Sequence, residues 1–143
     1  MTNNTASNYP ARILEMYKTM TLIRAFEEIA EEAFDAGLVN GSIHQYIGEE
    51  AIGTAVCANL RKTDFILSNH RGHGHAIAKG ANPEAMMKEL LGKVGGTSGG
   101  KGGSMHIADF SVGMLGANGV LADGLTMGVG AAQALVLRNV DAI

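Results

Sequence analysis

Histidine, arginine and glycine are concentrated in two short stretches of the chain, His70–His75 and Gly99–His106. The first reads His-Arg-Gly-His-Gly-His, and the second reads Gly-Gly-Lys-Gly-Gly-Ser-Met-His. A guanidinium group presents a planar fork of N–H donors that suits a diphosphate. Imidazoles exchange protons near neutral pH, and glycine lets the backbone approach a ligand closely. The two stretches therefore predict a site that binds a phosphorylated cofactor and moves protons near it, with Arg71 and His70 as candidate residues.

The first stretch has two other interpretations. Its histidines could cap or pack a loop, and from these residues alone that structural interpretation is as good as the functional one. The His-x-x-His-x-His spacing also suggests a metal site. Tetrahedral zinc needs a fourth donor, however, and Cys57 lies on a predicted apolar helix face. We therefore expect no metal ligands in this stretch.

Three further candidates carry weaker signals. Lys101 and the backbone amides of Gly95–Ser104 could cradle an anion. A flexible surface linker explains the same composition equally well. The loop is not a Walker motif, because no Gly-Lys-Ser/Thr sequence closes it. His44 stands alone in a polar connector, which by itself indicates a structural histidine. Asp123-Gly124 suggests a magnesium motif, but Ala122 precedes it, so a turn before the last helix is the better prediction.

A short strand positions the first stretch. Phe65–Leu67 is apolar and predicts a buried strand that ends just before His70. Ligands bind outside the carboxyl ends of the strands in parallel α/β sheets, so the His-Arg-Gly stretch lies where such a sheet would place a site. Residues 92–104 predict a loop, and residues 106–118 predict irregular structure.

Four helices are predicted around this strand, with boundaries set by capping residues, proline and glycine. They run from Pro10 to Gly37, from near Glu49 past Val56, from Asn82-Pro83-Glu84 to Leu91, and from Leu125 to near Arg138.

The apolar positions of the first two helices predict which faces are buried. The first helix is expected to bury Ile13, Tyr17, Met20, Ile23, Phe26, Ala30, Ala33 and Phe34. Its carboxylates Glu27, Glu28, Glu31 and Glu32 are expected to face solvent, and Arg24 to pair with Glu28. The second helix is expected to bury Ile52, Val56 and Leu60.

The composition is that of a globular protein. The chain has 143 residues, 46% hydrophobic and 17% charged, which predicts a single domain or part of one. A net charge of −3 argues against nucleic acid as a partner. No apolar run approaches the ~18 residues of a membrane span. The lone Cys57 and the polar start predict a reducing, cytoplasmic location. Residues 1–9 predict a disordered lead and residues 10–143 the domain.

Five blocks of sequence, taken in order, resemble one enzyme family. They are Ile23-Arg24-x-Phe26-Glu27, His44-Gln-Tyr-Ile-Gly-Glu-Glu-Ala51, His70-Arg71-x-His73-Gly74, Gly99–His106 and Met114–Gly119. From about Tyr17 to Leu135 the chain resembles the α subunit of the thiamin-diphosphate-dependent E1 family, which includes the acetoin and pyruvate dehydrogenases. The acetoin branch is the most similar.

The resemblance implies an α/β fold, namely the amino-terminal part of a three-layer thiamin-diphosphate-binding fold with a mainly parallel sheet. It implies cleavage of acetoin or decarboxylation of a 2-oxo acid, with transfer of the acyl unit to a lipoyl-bearing E2 partner. It also implies a β subunit in an α2β2 heterotetramer. The family's Mg²⁺ ligands are expected in a Gly-Asp-Gly strand beyond Ile143, so this polypeptide alone is expected to be inactive.

The resemblance also assigns roles to residues. His44 and His70 would face the substrate, and Arg71 with His70 would contact the diphosphate. His73 would support the loop. Asn118, Gly119 and Leu121 would lie at the aminopyrimidine. Two hypotheses remain: a catalytic portion of an α subunit, or a non-catalytic remnant that binds partner subunits but no cofactor. An unrelated anion-binding α/β module would not explain the order of the five blocks.

Overall fold

The computed structural model describes residues 9–143, which form five α-helices and two β-strands. These are α1 (Tyr9–Asp35), α2 (Glu50–Cys57), β1 (Ile66–Asn69), α3 (His73–Lys79), α4 (Pro83–Leu90), β2 (Met114–Asn118) and α5 (Asp123–Leu137). Short 3₁₀ turns cover Ser104–His106 and Phe110–Val112. Most of the expected disordered lead lies outside the described residues, and Tyr9 is already the first residue of α1.

The two strands form a parallel pair. Leu67 pairs with Gly116, Ser68 with Ala117 and Asn69 with Asn118. The α/β class and the parallel sheet are confirmed, whereas the prediction of irregular structure up to residue 118 is wrong for β2. Its sequence, Met-Leu-Gly-Ala-Asn, has no alternation of apolar and polar residues, and its extended form depends on pairing with β1. Because the pairing is in register at Asn69 and Asn118, both strands end at the same edge of the sheet.

Helix α1 has the predicted position but buries less than its apolar pattern suggests. Ile23, Phe26 and Ala30 are buried, whereas Ile13 and Tyr17 are 48% and 65% exposed. These two precede the part of α1 that contacts the core, so nothing among the described residues covers them.

Two expectations for the charged residues of α1 are wrong. Glu27 is fully buried rather than solvated. Arg24 pairs with Glu50, Nε to Oε1 at 2.7 Å, and not with Glu28. Glu50 lies in α2, and the partner of Glu27, His73, lies in α3. The spacing of residues within α1 could therefore not indicate either contact.

The buried face of α2 is not the apolar stripe that its sequence predicts. Ile52 and Val56 are exposed, and the buried positions are Glu50, Gly53 and Thr54. A Cβ at Gly53 would lie 2.7 Å from Tyr46 Oη, so the close approach of these elements requires glycine there. The predicted stripe is therefore wrong, because contact with Tyr46 and α3 selects a different face.

Helix α4 begins as its sequence predicts. The Asn82 side chain accepts a hydrogen bond from Ala85 N at 3.0 Å, Pro83 occupies the first turn, and the helix ends one residue before the expected Leu91. The core beside it joins residues of α1, α3, α4 and β2 with two residues of connecting segments, Tyr46 and Ile107. The members from the four elements are Ile23, Phe26, Ala30, Ala76, Ile77, Met86, Leu90, Met114 and Ala117.

Helix α5 is not packed into this core. It begins at Asp123, so the predicted turn at Asp123-Gly124 is instead its first turn. None of its residues is buried, and residues of α5 and β1 together line an apolar groove of about 600 Å³. Among residues 9–143, no helix combines the length and apolarity that crossing a membrane requires.

Candidate functional site

His70 and Arg71 leave the sheet at the edge where both strands end. The Arg71 backbone N–H donates to Asn69 Oδ1 at 2.8 Å, and its guanidinium Nη1 donates to the Gln45 carbonyl at 2.6 Å. The second bond fixes Arg71 against the connector that carries His44, and it uses one of the five N–H donors of the side chain. The structure thus brings His44, His70 and Arg71 together, although they are far apart in sequence.

The imidazole rings of His44 and His70 lie against each other. Their centroids are 5.2 Å apart, the rings are nearly perpendicular, and both Nδ1 atoms are buried without a protein hydrogen-bond partner. Burial lowers the pKa of His44 below its usual value, and electrostatic interactions with the neighbouring His70, Arg71 and His73 lower it further. His44 is therefore neutral near pH 7 and can accept a proton. Two unpartnered buried ring nitrogens beside a cation are the chemical signature of this site.

Behind His44, a buried acid, imidazole and hydroxyl form a chain. Both carboxylate oxygens of Glu27 lie 3.0–3.1 Å from His73 Nδ1, and Ser104 Oγ lies 3.0 Å from His73 Nε2. The same Ser104 oxygen accepts the backbone N–H of His44 at 2.9 Å. Sequence reasoning missed Glu27 and Ser104. A signal for Glu27 existed, since it shares one helical face with Ile23, Phe26 and Ala30.

The order Glu27, His73, Ser104 matches the acid, base and nucleophile of a serine hydrolase in geometry. Ser104 is only 4% exposed, however, and its oxygen already accepts from the His44 amide. The nearby amides of Gly102 and Gly103, which could bind an oxyanion, donate to Glu89 instead. The chain of bonds therefore positions His44 and leaves no place for an acyl substrate at Ser104.

His75 forms a second buried network. Its Nε2 lies 3.0 Å from Tyr46 Oη, which accepts from Gly53 N, and its Nδ1 lies 2.7 Å from Ser68 Oγ. Burial lowers the pKa of His75, partly offset by the negative charge of Glu49, so the ring is a neutral structural member of the network. The edge of His75 reaches a groove of about 320 Å³ at the end of β1.

The three imidazoles of the His-Arg-Gly stretch turn to different neighbours. His70 lies against His44, His73 bonds to Glu27, and His75 bonds to Tyr46 and Ser68. Within residues 9–143, no group of three potential His, Cys, Asp or Glu ligands converges on one point. The three histidines whose spacing suggests a metal site thus each contact a different part of the protein.

The glycine loop, Gly92–Gly103, surrounds an anion of the protein itself. The Glu89 carboxylate is buried and accepts backbone N–H groups from Ser98 at 2.8 Å, Gly100 and Gly102 at 2.7 Å, and Gly103 at 3.2 Å. Burial raises the pKa of Glu89, but the four amides together outweigh it and leave the pKa lowered. The prediction that these amides are free to cradle an external anion is therefore wrong, because they are already occupied.

The residues expected at the aminopyrimidine lie on the turn after β2. Asn118 Oδ1 accepts from Val120 N at 3.0 Å, and its Nδ2 donates to Asp123 at the start of α5. Gly119 and Leu121 are exposed, and no hydrogen bond among residues 9–143 joins this turn to His44, His70 or Arg71. The turn shares the edge of the sheet with those residues but forms no hydrogen bond with them within the described part of the chain.

Comparison with known proteins identifies the family of the chain. The family model described as dehydrogenase E1 component matches residues 17–143. The chain belongs to this family. It is 52% identical over 127 residues to the α subunit of acetoin:2,6-dichlorophenolindophenol oxidoreductase of Cupriavidus necator, covering 89% of the chain and 38% of that protein. The Bacillus subtilis protein of the same name is 51% identical over 121 residues, covering 85% of the chain and 36% of that protein.

Pyruvate dehydrogenase subunits match less closely. The E1 component subunit α of Zymomonas mobilis is 39% identical over 128 residues, covering 89% of the chain and 36% of that protein. The chain therefore spans less than two fifths of the curated relatives it matches. The resemblance deduced from the five blocks is confirmed, and the greater likeness to the acetoin proteins agrees with it. The roles assigned to individual residues stay predictions.

Proposed function

We propose that the chain supplies part of the α component of a thiamin-diphosphate-dependent E1 enzyme. The enzyme would cleave acetoin or decarboxylate a 2-oxo acid such as pyruvate and pass the acyl unit to a lipoyl group on an E2 partner. One observation carries the proposal: two buried, unpartnered imidazole nitrogens and an arginine converge at the carboxyl edge of a parallel sheet. The relatives support it, since their names describe acetoin and pyruvate dehydrogenase α subunits.

The residues at this edge fit the cofactor that the E1 family uses. Arg71, with His70, would bind the diphosphate, and Asn118, Gly119 and Leu121 would line the aminopyrimidine. The orphaned Nδ1 atoms of His44 and His70 support this fit, because buried polar atoms without protein partners indicate an absent polar ligand. Mg²⁺ ligands would come from outside residues 9–143, within which no three-ligand group converges.

Thiamin diphosphate, when bound, supplies the electron sink for breaking the bond beside a carbonyl. The chain supplies position, charge and proton exchange. His44 is held neutral, so its imidazole can take a proton from a substrate hydroxyl or return one. Arg71 would offset the charge of the diphosphate while the Gln45 carbonyl holds its guanidinium in place.

The second candidate function is a remnant that binds partner subunits but no cofactor. Helix α5 supports the partner-binding part of this candidate, since all of its residues are at least partly exposed while Leu125, Val129 and Val136 are more than two thirds exposed. Such a helix is expected to be covered by another polypeptide. Both candidates predict the same partner, a β subunit in an α2β2 assembly, and they differ only in cofactor binding.

Calorimetric titration with thiamin diphosphate and Mg²⁺ separates the two candidates. The purified chain is titrated alone, and again after addition of a β subunit and the carboxyl-terminal part of a related α subunit. We expect binding only in the mixture, and Arg71→Gln to abolish it while Lys62→Gln, which removes an exposed cation, leaves it unchanged. Absence of binding in the complete mixture would establish the remnant and refute the enzymatic proposal.

A further inference from the structure

A series of buried hydrogen bonds runs from Glu27 in α1 through His73 and Ser104 to the backbone of His44, and its donors and acceptors can be assigned. An ionised carboxylate only accepts hydrogen bonds. Because both oxygens of Glu27 face His73 Nδ1, that nitrogen must carry a proton. On the neutral ring the lone pair then lies on His73 Nε2, so the Ser104 hydroxyl donates to that nitrogen while its oxygen accepts from His44 N.

The opposite tautomer of His73 would break two bonds at once. A proton on Nε2 instead of Nδ1 would place the Nδ1 lone pair against the carboxylate of Glu27. It would also leave the Ser104 proton without an acceptor in a buried site, where unmade hydrogen bonds are costly. Glu27 and His73 are completely buried, so water cannot substitute. Glu27 therefore selects one tautomer of His73, and that tautomer sets the direction of the Ser104 hydroxyl.

We propose that Glu27 is a positioning residue for His44, acting through His73 and Ser104. The connector of His44 has no helix or strand of its own, and glycines with positive φ, Gly41 and Gly48, flank it. The Ser104 hydroxyl anchors the backbone of this connector at His44 itself. Fixing that amide fixes the ring of His44 beside His70. The proposal rests on the proposed function only for the statement that His44 faces the substrate.

The native chain provides the first test, without any substitution. In protein labelled with ¹⁵N-histidine, long-range ¹H–¹⁵N correlation spectra report which ring nitrogen carries the proton. We expect His73 to be the Nδ1–H tautomer across the neutral pH range. Detection of the Nε2–H tautomer would overturn the proposal, since Glu27 could then not receive a hydrogen bond from the ring.

Two variants test the transmission to His44. Glu27→Gln and Ser104→Ala are compared with Glu28→Gln, an exposed neighbour on α1, and Ser111→Ala, whose hydroxyl bonds Asp109 on the surface. Nuclear Overhauser contacts between the rings of His44 and His70, and the titration of His44, are followed by NMR. Both test variants should weaken the contacts and raise the pKa of His44 toward its usual value. Both controls should change neither.

The physical reason is that burial, and then the proximity of His70, Arg71 and His73, lowers the pKa of His44, and a released ring loses these surroundings. A folded Ser104→Ala variant with unchanged His44 titration would overturn the proposal, even if Glu27→Gln fails to fold. All of these measurements use the cofactor-free chain. The proposed function fails separately, by lack of thiamin diphosphate binding in the complete mixture.

Discussion

Helices α3 and α5 each follow a strand of the same parallel sheet, yet they differ in packing. Helix α3 buries His73, Gly74, Ala76 and Ile77, whereas α5 buries none of its 15 residues. The contacts that hold α3 all come from residues of this chain. Helix α5 presents large apolar side chains to solvent and lies loosely over β1, as expected for a surface that another polypeptide covers. One region is thus packed by the chain itself, and the other leaves its apolar side chains uncovered among residues 9–143.

The region that the chain packs by itself should be most sensitive at Glu89. Glu89→Ala leaves four part-buried N–H groups of the glycine loop without their acceptor, which we expect to destabilise the fold by about 4 kcal/mol. Urea unfolding measures the loss. Glu84→Ala, an exposed carboxylate on the same helix, is the control and should have little effect. Equal unfolding midpoints for the two variants would show that the loop does not need its internal anion.

The same carboxylate predicts a pH dependence. The folded-state pKa of Glu89 lies below its usual value of 4.5, because four amides outweigh the effect of burial. Its contribution to stability is therefore complete above pH 4.5 and is lost as the pH falls through the lowered folded value. Hydrogen exchange should show the amides of Gly100 and Gly102 losing protection in acid. Retained protection in acid, with the core still folded, would contradict this assignment.

A matched pair of glycine substitutions contrasts the two helices directly. A Cβ at Gly74 would lie 2.0 Å from Tyr46 Cδ1, so Gly74→Ala should destabilise by about 2–3 kcal/mol. A Cβ at Gly130, in α5, meets nothing, so Gly130→Ala should stabilise the isolated chain by roughly 0.5–1 kcal/mol. Thermal unfolding of both variants gives the comparison. If both destabilise alike, α5 is packed as tightly as α3 and the contrast is false.

The turn before α5 offers a smaller effect. Ala122 has φ +69°, a left-handed conformation that costs an alanine about 1 kcal/mol. Ala122→Gly should therefore stabilise by up to ~1 kcal/mol, and Ala122→Val should destabilise. Calorimetric melting of the three proteins tests the order. A melting temperature that falls for the glycine variant would mean that α5 starts in another way.

The exposed surface of α5 should show the least change in stability. Val136→Thr removes apolar character at a position that is 69% exposed, and we expect its unfolding free energy to match that of the unaltered chain. Association with a β subunit, followed by analytical ultracentrifugation, should weaken. Unchanged association together with lower stability would mean that α5 packs within the chain.

Local signals in the sequence predicted the elements that local interactions determine. Asn82-Pro83 fixed the start of α4, because the cap is made three residues away, and the apolar run before Ser68 indicated β1. The strand β2 was missed, since its extended form comes from pairing with residues almost fifty positions earlier. The grouping of His44, His70 and Arg71 was expected only through family resemblance.

The buried carboxylates show why the rest could not be predicted. Glu27 looked like part of a solvated acidic face, because its partner His73 lies 46 residues away. Nothing in the sequence around Glu89 distinguishes it from a surface carboxylate, and the glycine loop suggested either an external-anion site or a flexible linker. A carboxylate and a set of free amides each appear unpaired in the sequence, and only the fold shows that they satisfy one another.

The Glu89 carboxylate inside the glycine loop affects the free energy of ligand binding. Ser104, at the end of this loop, supports His44, and the loop takes its shape from Glu89 before any ligand arrives. Association with a cofactor therefore does not have to freeze a mobile glycine-rich segment, which would otherwise consume affinity as lost conformational entropy. The glycines permit the shape, while the carboxylate removes the disorder that glycines usually bring.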